Sequence, residues 1–425
     1  MEIKKGEFEK LYRNPVLIVL IGIFLAYNML IMYNNSSIRE PLKLTNELIR
    51  EVGYKVDDNM LNELDIKYKA GMKELNKITE EKLNKSYNSL DDFLESREFS
   101  QNIYSNEFFS KEDKDFFNRL SIINMYKNIA PNAISAIENM DVNKLADKAI
   151  SMYGLEGKAA EFTRENYREF DVRLKELIRN GEHKNLYFWG LNYRTQNLLF
   201  GDVIGSSIIE IMIIIVLGVS FLINYERENK TLGLVTASKR GRRLLGDKLQ
   251  VSLVFSVLVT AVILGVTLIT YFNVFDYSEV WNVPISSAFN VGMSGPFLSW
   301  YNLTIREYLM LSVGVVFAIG ILSAGLTFVL CSLLKSSYKS FFAFFILFGA
   351  FFMSPGLFPS DSIFAIWANF NMFVLSLNPE WWFMDAGVFI GTKHYVDITL
   401  VSNFIVVVLL IVFSMKLFKR ENIKG

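Results

Sequence analysis

Long apolar stretches alternate with charged segments along this chain, and six of these stretches are long enough to cross a bilayer. A helix needs about 20 apolar residues to span the hydrocarbon core. The pattern therefore predicts a polytopic membrane protein with six transmembrane helices. The predicted spans lie near residues 15–33, 203–224, 250–272, 307–334, 340–358 and 399–418.

A charged region of helical character separates the first two predicted spans. Its apolar positions recur every three to four residues, its glycines and prolines are few, and strand-type alternation is hard to find. We therefore predict an all-α fold class. Residues 1–33 are expected to hold an interfacial helix and the first transmembrane helix, residues 34–200 an extracellular helical domain, and residues 201–425 the remaining spans. The region is large enough to bury its own core.

Two further segments outside the predicted spans are interrupted by turn-forming residues. Residues 273–305 are rich in Gly, Pro and Ser, and residues 359–398 are apolar but contain Asp361, Pro379 and Asp385. Because residues 359–398 are too short and broken to cross the membrane twice, we predict a re-entrant or interfacial helical pair there.

Charge sets the expected orientation. The loop at 225–248 carries seven Lys or Arg against three acids. Short positive loops stay on the cytoplasmic side, so both termini are predicted to be cytoplasmic and the domain at 34–200 extracellular. All six tryptophans fall in segments that this topology places outside, and tryptophan favours membrane interfaces. Frequent Lys, Asn, Ile and Phe suggest an AT-rich bacterial genome and therefore a bacterial plasma membrane.

A cleaved signal peptide is the alternative interpretation of the first span. Four basic residues precede it, as in a signal sequence, but Tyr33, Asn34 and Asn35 follow it where a small-residue cleavage site would lie. An uncleaved anchor is therefore favoured.

The chain lacks the motifs of an energy-converting or catalytic protein. It has no phosphate-binding loop, HExxH, CxxC or GxSxG motif. Its single cysteine, Cys331, excludes an intrachain disulfide. The zero net charge gives no global field for nucleic acid. We expect no cofactor and no catalytic residue on this chain, and any energy source must be another protein.

The loop at 225–248 holds the first group of candidate functional residues. It suits a short helix along the inner membrane face, with acids facing a partner and bases at the headgroups. The alternative is a solvated loop that merely obeys the positive-inside rule. The candidate residues for coupling to a partner are Glu226, Glu228, Gly233, Ser238, Arg240 and Arg242.

This loop resembles the coupling-helix region of ABC transporter permeases of the type 2 exporter family. The pattern is an acidic pair, a glycine, apolar residues, a small residue and arginine, and then Lys248 at the next span. Six spans, cytoplasmic termini, a tight turn after span four and a broken segment before span six agree with the resemblance, which covers the whole membrane part. The large domain between spans one and two departs from the shortest members of the family.

The resemblance implies a transport subunit driven by a separate protein. Two copies, or one copy and a sibling permease, would each dock on a cytoplasmic ATPase that binds ATP and Mg²⁺. Closure of the ATPase pair would press on the loop after span two, and Glu226, Glu228 and Gly233 would transmit the force. Insertions such as residues 34–200 occur in exporters of amphiphilic peptides, antibiotics or lipids and in systems of antimicrobial peptide resistance.

Two candidate features lie within the spans. Glu210 is a carboxylate at membrane depth, where charge is costly. It belongs either to a pathway or dimer seam, or is shallow enough to reach the headgroups or to be capped by Ser206 or Ser207. Gly320 and Ala324 are one turn apart and permit close helix approach, either at a dimer seam or, as we favour, within the chain.

Other classes of function remain as alternatives. A membrane receptor or sensor would use the domain at 34–200 to bind an extracellular ligand. An envelope scaffold and an intramembrane enzyme are the other two alternatives, and the enzyme is the least favoured because no catalytic constellation is present. A permease should bring down a P-loop ATPase on purification, whereas a sensor should bring down a kinase or nothing.

Overall fold

A computed structural model describes residues 2–104, 108–186, 193–237, 244–292 and 295–421. The fold is almost entirely helical, which confirms the all-α prediction. Six helices are long and apolar enough to cross a membrane, as predicted. These spans are Pro15–Asn34, Asn197–Glu228, Leu244–Val274, Ile305–Leu334, Ser337–Leu357 and Tyr395–Phe418.

Span two is longer than the hydropathy pattern indicates. It begins with a π-helical stretch, Asn197–Ile204, which continues into the α-helix Gly205–Glu228. Much of spans two and four is buried against other parts of the chain, whereas spans one, five and six are mostly exposed. Spans two and four therefore form the centre of the bundle.

The spans belong to a longer series of α-helices, which we number in chain order. Helix α2 is span one, and α11, α13, α14, α15 and α18 belong to spans two to six. The helices are α1 Glu2–Tyr12, α2 Pro15–Asn34, α3 Arg39–Val52, α4 Asp58–Leu83, α5 Leu90–Leu94, α6 Arg97–Asn102, α7 Lys111–Glu138, α8 Val142–Met152, α9 Gly157–Asn180, α10 Tyr193–Gln196, α11 Gly205–Glu228, α12 Leu232–Ala237, α13 Leu244–Val274, α14 Ile305–Leu334, α15 Ser337–Met353, α16 Phe364–Trp367, α17 Met372–Leu377 and α18 Tyr395–Glu421.

The two ends of the bundle differ. One end carries α1, α12 and the tight turn between α14 and α15, and we call it the loop end. The opposite end carries the helices α3 to α9, and we call it the domain end. Span one does not continue as one helix into that region, because the chain passes through the short 3₁₀ turn Ser36–Ile38 before α3 begins.

Helices α4 to α7 enclose an aromatic core. Phe93, Phe109 and Phe117 are buried, and their rings meet edge to face at centroid distances of 5.0 to 6.2 Å. Edge-to-face pairs add to the free energy gained from burial. The apolar spacing that predicted helices here thus corresponds to a packed core.

The connections at the domain end pack against α9. The buried Arg173 guanidinium donates from Nε to the Ser299 carbonyl at 3.0 Å and forms a two-pronged pair with the buried Glu182. Val291–Gly292 and Gly295–Pro296 pair as two short antiparallel strands, which we call the hairpin strands. The helical region and the connections between spans therefore share one packed interface.

The predicted re-entrant segment contains two short helices. Helix α17 is largely buried, and the ring of its Phe373 lies 5.6 Å from that of Phe344 in span five. Helix α16 is partly exposed, with Trp367 at 55%. The depth of this segment in a membrane stays a prediction, as do the domain boundaries.

Two of the tryptophans in the predicted outer segments lie inside the fold. Trp300 and Trp382 are 3% and 1% exposed, and their indole N–H groups donate to the carbonyls of Gly391 and Leu375. They are core residues rather than interface residues, because a partnered indole is stable inside a fold. Trp189 lies outside the described residues.

Candidate functional site

The candidate site is built where span two ends at the loop end. Helix α11 ends at Glu228, and the chain turns through Lys230, which has a left-handed φ of 57°. The Thr231 N–H then donates to the Glu226 carbonyl at 2.8 Å. This turn leads directly into the short helix α12, so α12 is attached to the end of span two by a single tight turn.

Glu226 is buried rather than displayed. Its exposed fraction is 5%, and its Oε1 accepts a hydrogen bond from the Lys10 ammonium at 2.8 Å. Its Oε2 accepts one from Lys248 at the start of span three. Direct contact between this carboxylate and another protein therefore does not fit the geometry.

Glu226 is one of four neighbouring side chains of alternating charge. We call these residues the four-charge cluster: Glu7, Lys10, Glu226 and Lys248. Lys10 also pairs with Glu7 at 2.7 Å, and Lys248 lies 3.6 Å from Glu7. The Lys248 ammonium donates to the Leu222 carbonyl at 2.5 Å as well. Two acids and two bases thus balance, as buried charges require. The cluster ties α1 to the ends of spans two and three.

Lys10 is the most exposed member of the cluster and the only base outside the spans. Burial lowers its pKa, but the hydrogen bonds and charges of Glu226 and Glu7 outweigh burial and raise the pKa above its ordinary value. The ammonium also lies 4.5 Å from the centre of the Tyr225 ring, in cation–π contact. Lys10 is therefore firmly held in its charged form.

Glu228 links span two to span five. Its Oε1 accepts a hydrogen bond from the backbone N–H of Ser337 at 2.9 Å, at the first residue of α15. The first N–H groups of a helix have no partner within the helix, and a carboxylate there also favours the helix dipole. Glu228 thus acts as an additional cap on span five.

Helix α12 carries the exposed part of the site. Leu234 is 79% exposed, and a side chain added at Gly233 would meet no atom within 4 Å. Helix α12 thus presents an apolar side chain next to the end of span two, and a partner contact at Leu234 stays a prediction. The candidates Ser238, Arg240 and Arg242 lie outside the described residues.

Glu210 is joined to two other spans. It is 4% exposed, and its Oε2 accepts from the Asn28 amide in span one at 2.8 Å. The same amide donates to Thr267 in span three at 3.1 Å and lies 3.4 Å from the Ser207 hydroxyl. Glu210 thus lies inside the bundle rather than at the surface, and the Ser207 hydroxyl donates to the Val203 carbonyl rather than to Glu210. A role in a pathway stays a prediction.

Gly320 and Ala324 contact neighbours within the chain. Ala324 is fully buried. A Cβ at Gly320 would lie 2.8 Å from Thr260 Oγ1 and 3.3 Å from Ile215 Cδ1. The absence of a side chain at Gly320 lets span four approach spans two and three. A dimer seam at Gly320 and Ala324 stays a prediction.

Replacement of Gly320 by alanine should destabilise the bundle by about 1–3 kcal/mol. The added methyl would collide with Thr260, whose β-branched side chain is stiff and whose hydroxyl is held by the Ser256 carbonyl at 2.8 Å. Gly314→Ala in the same helix is the matched control, because its Cβ would meet nothing within 4 Å. Thermal unfolding in detergent measures both variants, and equal midpoints would contradict the close packing.

Sequence reasoning missed the role of α1 and the internal position of Glu226. Glu7 and Lys10 are spaced i, i+3 and share one helix face, which was a usable signal for a paired surface. Lys248, at the start of the apolar span three, was a second signal, since buried lysines need partners.

The chain matches the sequence model of the family described as ABC-2 family transporter protein over residues 15–418. No curated protein and no solved structure matches it. The matched region includes all six spans, the helical region between spans one and two, and the candidate site except α1. The chain therefore belongs to the ABC-2 transporter family, as a multi-pass membrane protein of the permease type.

Proposed function

We propose that this chain is the membrane subunit of an ATP-driven exporter, with the loop end in the cytoplasm and residues 34–200 outside the cell. A separate ATPase docks on α12, and a second permease copy or a sibling permease completes the transporter. The observation that carries this proposal is the exposed Leu234 on a helix fixed to the four-charge cluster.

The contacts of the site support a route for force. A push on α12 acts on the end of span two through the turn at Thr231. Glu226 carries the displacement to span three through Lys248 and to α1 through Lys10, and Glu228 carries it to span five through Ser337. Spans two, three and five therefore shift together at the loop end. In this proposal Glu226 and Glu228 transmit force from within, while Gly233 and Leu234 receive it.

ATP and Mg²⁺ belong to the partner in this proposal. The sequence has no phosphate-binding loop of its own, so hydrolysis requires a second chain. The residues of this chain hold the coupling helix, orient the spans and exclude water from the charges between them.

A groove at the domain end supports the proposal that the substrate is amphiphilic, such as a peptide, an antibiotic or a lipid. It has a volume of about 540 Å³ and lies between α9 and the start of span six. Four apolar side chains line it, those of Phe162, Trp367, Phe370 and Ile398. The other lining residues are polar or charged: Glu165, Asn166, Glu169, Thr392, Lys393, His394 and Ser402. This mixture of surfaces fits a molecule with an apolar part and a polar part.

Reconstitution with an ATPase tests the proposal. The chain should co-purify with a P-loop ATPase encoded next to its gene, and the complex in proteoliposomes should hydrolyse ATP faster when an amphiphilic peptide is added. Uptake of a labelled peptide into inside-out vesicles should require ATP. Co-purification with a kinase, or transport without any ATPase, would overturn the proposal.

A further inference from the structure

A second cavity at the domain end lies away from the groove and the coupling site. It has a volume of about 520 Å³, within the range of small-molecule sites. Helix α8 and Tyr167 of α9 form one wall. The hairpin residues Gly295 and Pro296 and the segment 381–387 form the other. The helical region and the connections between spans therefore build this cavity together.

Asp385 is the only carboxylate among the described residues that line this cavity. Its backbone N–H donates to the Leu298 carbonyl at 2.9 Å, which fixes it behind the hairpin. Its Oδ1 is buried and has no hydrogen-bond partner among the described residues. A buried acceptor without a donor is unfavourable, so a ligand that supplies a donor would gain free energy here.

The other residues that line this cavity indicate the chemical character of its ligand. Trp381, Leu298 and the methionines Met140 and Met152 offer apolar and adaptable surface. Tyr153 and Tyr167 add aromatic rings, which attract cations. Lys148 also lines the cavity, but it is exposed, so water screens its charge more than that of Asp385.

We propose that this cavity binds an organic cation with an apolar body, whose ammonium group pairs with the carboxylate of Asp385. A lysine side chain or the amino terminus of an amphiphilic peptide has this chemistry. As a site for cargo, the cavity rests on the proposed transport function, whereas binding itself can be measured without an ATPase or transport.

The protonation of Asp385 gives the site a second measurable property. Burial raises the pKa of this carboxyl to about 7, although a backbone hydrogen bond from Gly387 opposes the rise. The Asp385 carboxyl therefore holds its proton to a higher pH than an ordinary aspartate, and a bound ammonium favours the ionised form. Binding should then release protons. The other titratable groups on the wall are Lys148, Tyr153 and Tyr167.

Isothermal titration calorimetry on the full chain in lipid nanodiscs tests this proposal, with empty discs as the reference. The probes are 2-phenylethylamine, its neutral analogue 2-phenylethanol and the anion 3-phenylpropionate. We expect the amine to bind at least about 10-fold more tightly than the alcohol, because a charged hydrogen bond contributes about 1.5–3 kcal/mol. The anion should bind most weakly. At pH 7 the heat of amine binding should depend on the buffer, because protons are released.

Asp385→Asn keeps the shape of the side chain and removes its charge. It should abolish both the preference for the amine and the buffer dependence, while the alcohol still binds. Lys148→Gln is the matched control on the same wall and should keep both properties. Met152→Trp, at a side chain that is 66% exposed, should weaken the amine and the alcohol alike by filling the cavity. Equal affinities of wild type for the amine and the alcohol, or an amine preference that survives in Asp385→Asn, would overturn the proposal.

Discussion

Glu226→Ala should destabilise the protein by about 3–5 kcal/mol, a typical effect of breaking a buried ion pair. The change leaves the Lys248 ammonium, which is 2% exposed, with its Glu226 partner gone and Glu7 3.6 Å away. Lys10 loses one of its two carboxylates as well. We expect a large fall in the thermal midpoint in detergent and a low yield of folded protein.

A double-mutant cycle separates the loss of charge balance from the loss of packing. Glu226→Ala combined with Lys248→Met removes this buried ion pair, leaves Glu7 paired with Lys10, and should recover much of the lost stability, because apolar side chains often replace a buried ion pair without cost. Glu9→Ala in α1 is the control outside the cluster: Glu9 lies 4.0 Å from Arg13, and its loss should change stability by less than about 0.5 kcal/mol. If Glu226→Ala is as stable as Glu9→Ala, the cluster does not hold the loop end together.

Leu234→Asp should uncouple the ATPase from the permease and leave the fold intact. Leu234 is 79% exposed, so a charge there costs the isolated chain little, whereas it would be buried in an interface with a partner. Loss of a central apolar contact costs about 2 kcal/mol or more, which corresponds to roughly 30-fold weaker binding. Binding of the purified ATPase and ATP-dependent peptide transport both measure this effect.

Leu357→Asp is the matched control for this variant. Leu357 has the same exposed fraction, 79%, but lies at the opposite end of span five. It should bind the ATPase with unchanged affinity. Normal ATPase binding and transport by Leu234→Asp would show that α12 is not the docking helix.

The six spans could be predicted because an apolar stretch of sufficient length is a local property of the sequence. The helical class of the region between spans one and two followed from the same kind of local periodicity, and the Phe93–Phe117 core agrees with it. Whether an individual side chain is buried in the fold was less predictable. The sequence placed Trp300 and Trp382 only in outer segments, whereas the fold buries both indoles and provides backbone carbonyls that accept from their N–H groups.

The candidate site was only partly predictable for a related reason. The acidic pair Glu226 and Glu228 stood out by its place at the end of span two. Their partners did not, because Lys10 is 216 residues from Glu226 and Ser337 is 109 residues from Glu228. A single sequence contains no information on pairs so far apart, except that buried charges need partners. The two carboxylates therefore looked like surface groups until the fold brought their donors to them.

The position of α1 has a consequence for how this protein is trimmed or tagged. The family match begins at residue 15, so a chain cut to residues 15–418 would look complete by that criterion. It would lose Glu7 and Lys10, which supply one acid and one base of the four-charge cluster. Glu226 and Lys248 would then remain as one ion pair, at a surface that removal of α1 exposes to solvent. Short amino-terminal extensions, or affinity tags placed at the carboxyl end, are therefore preferable to truncation at the family boundary.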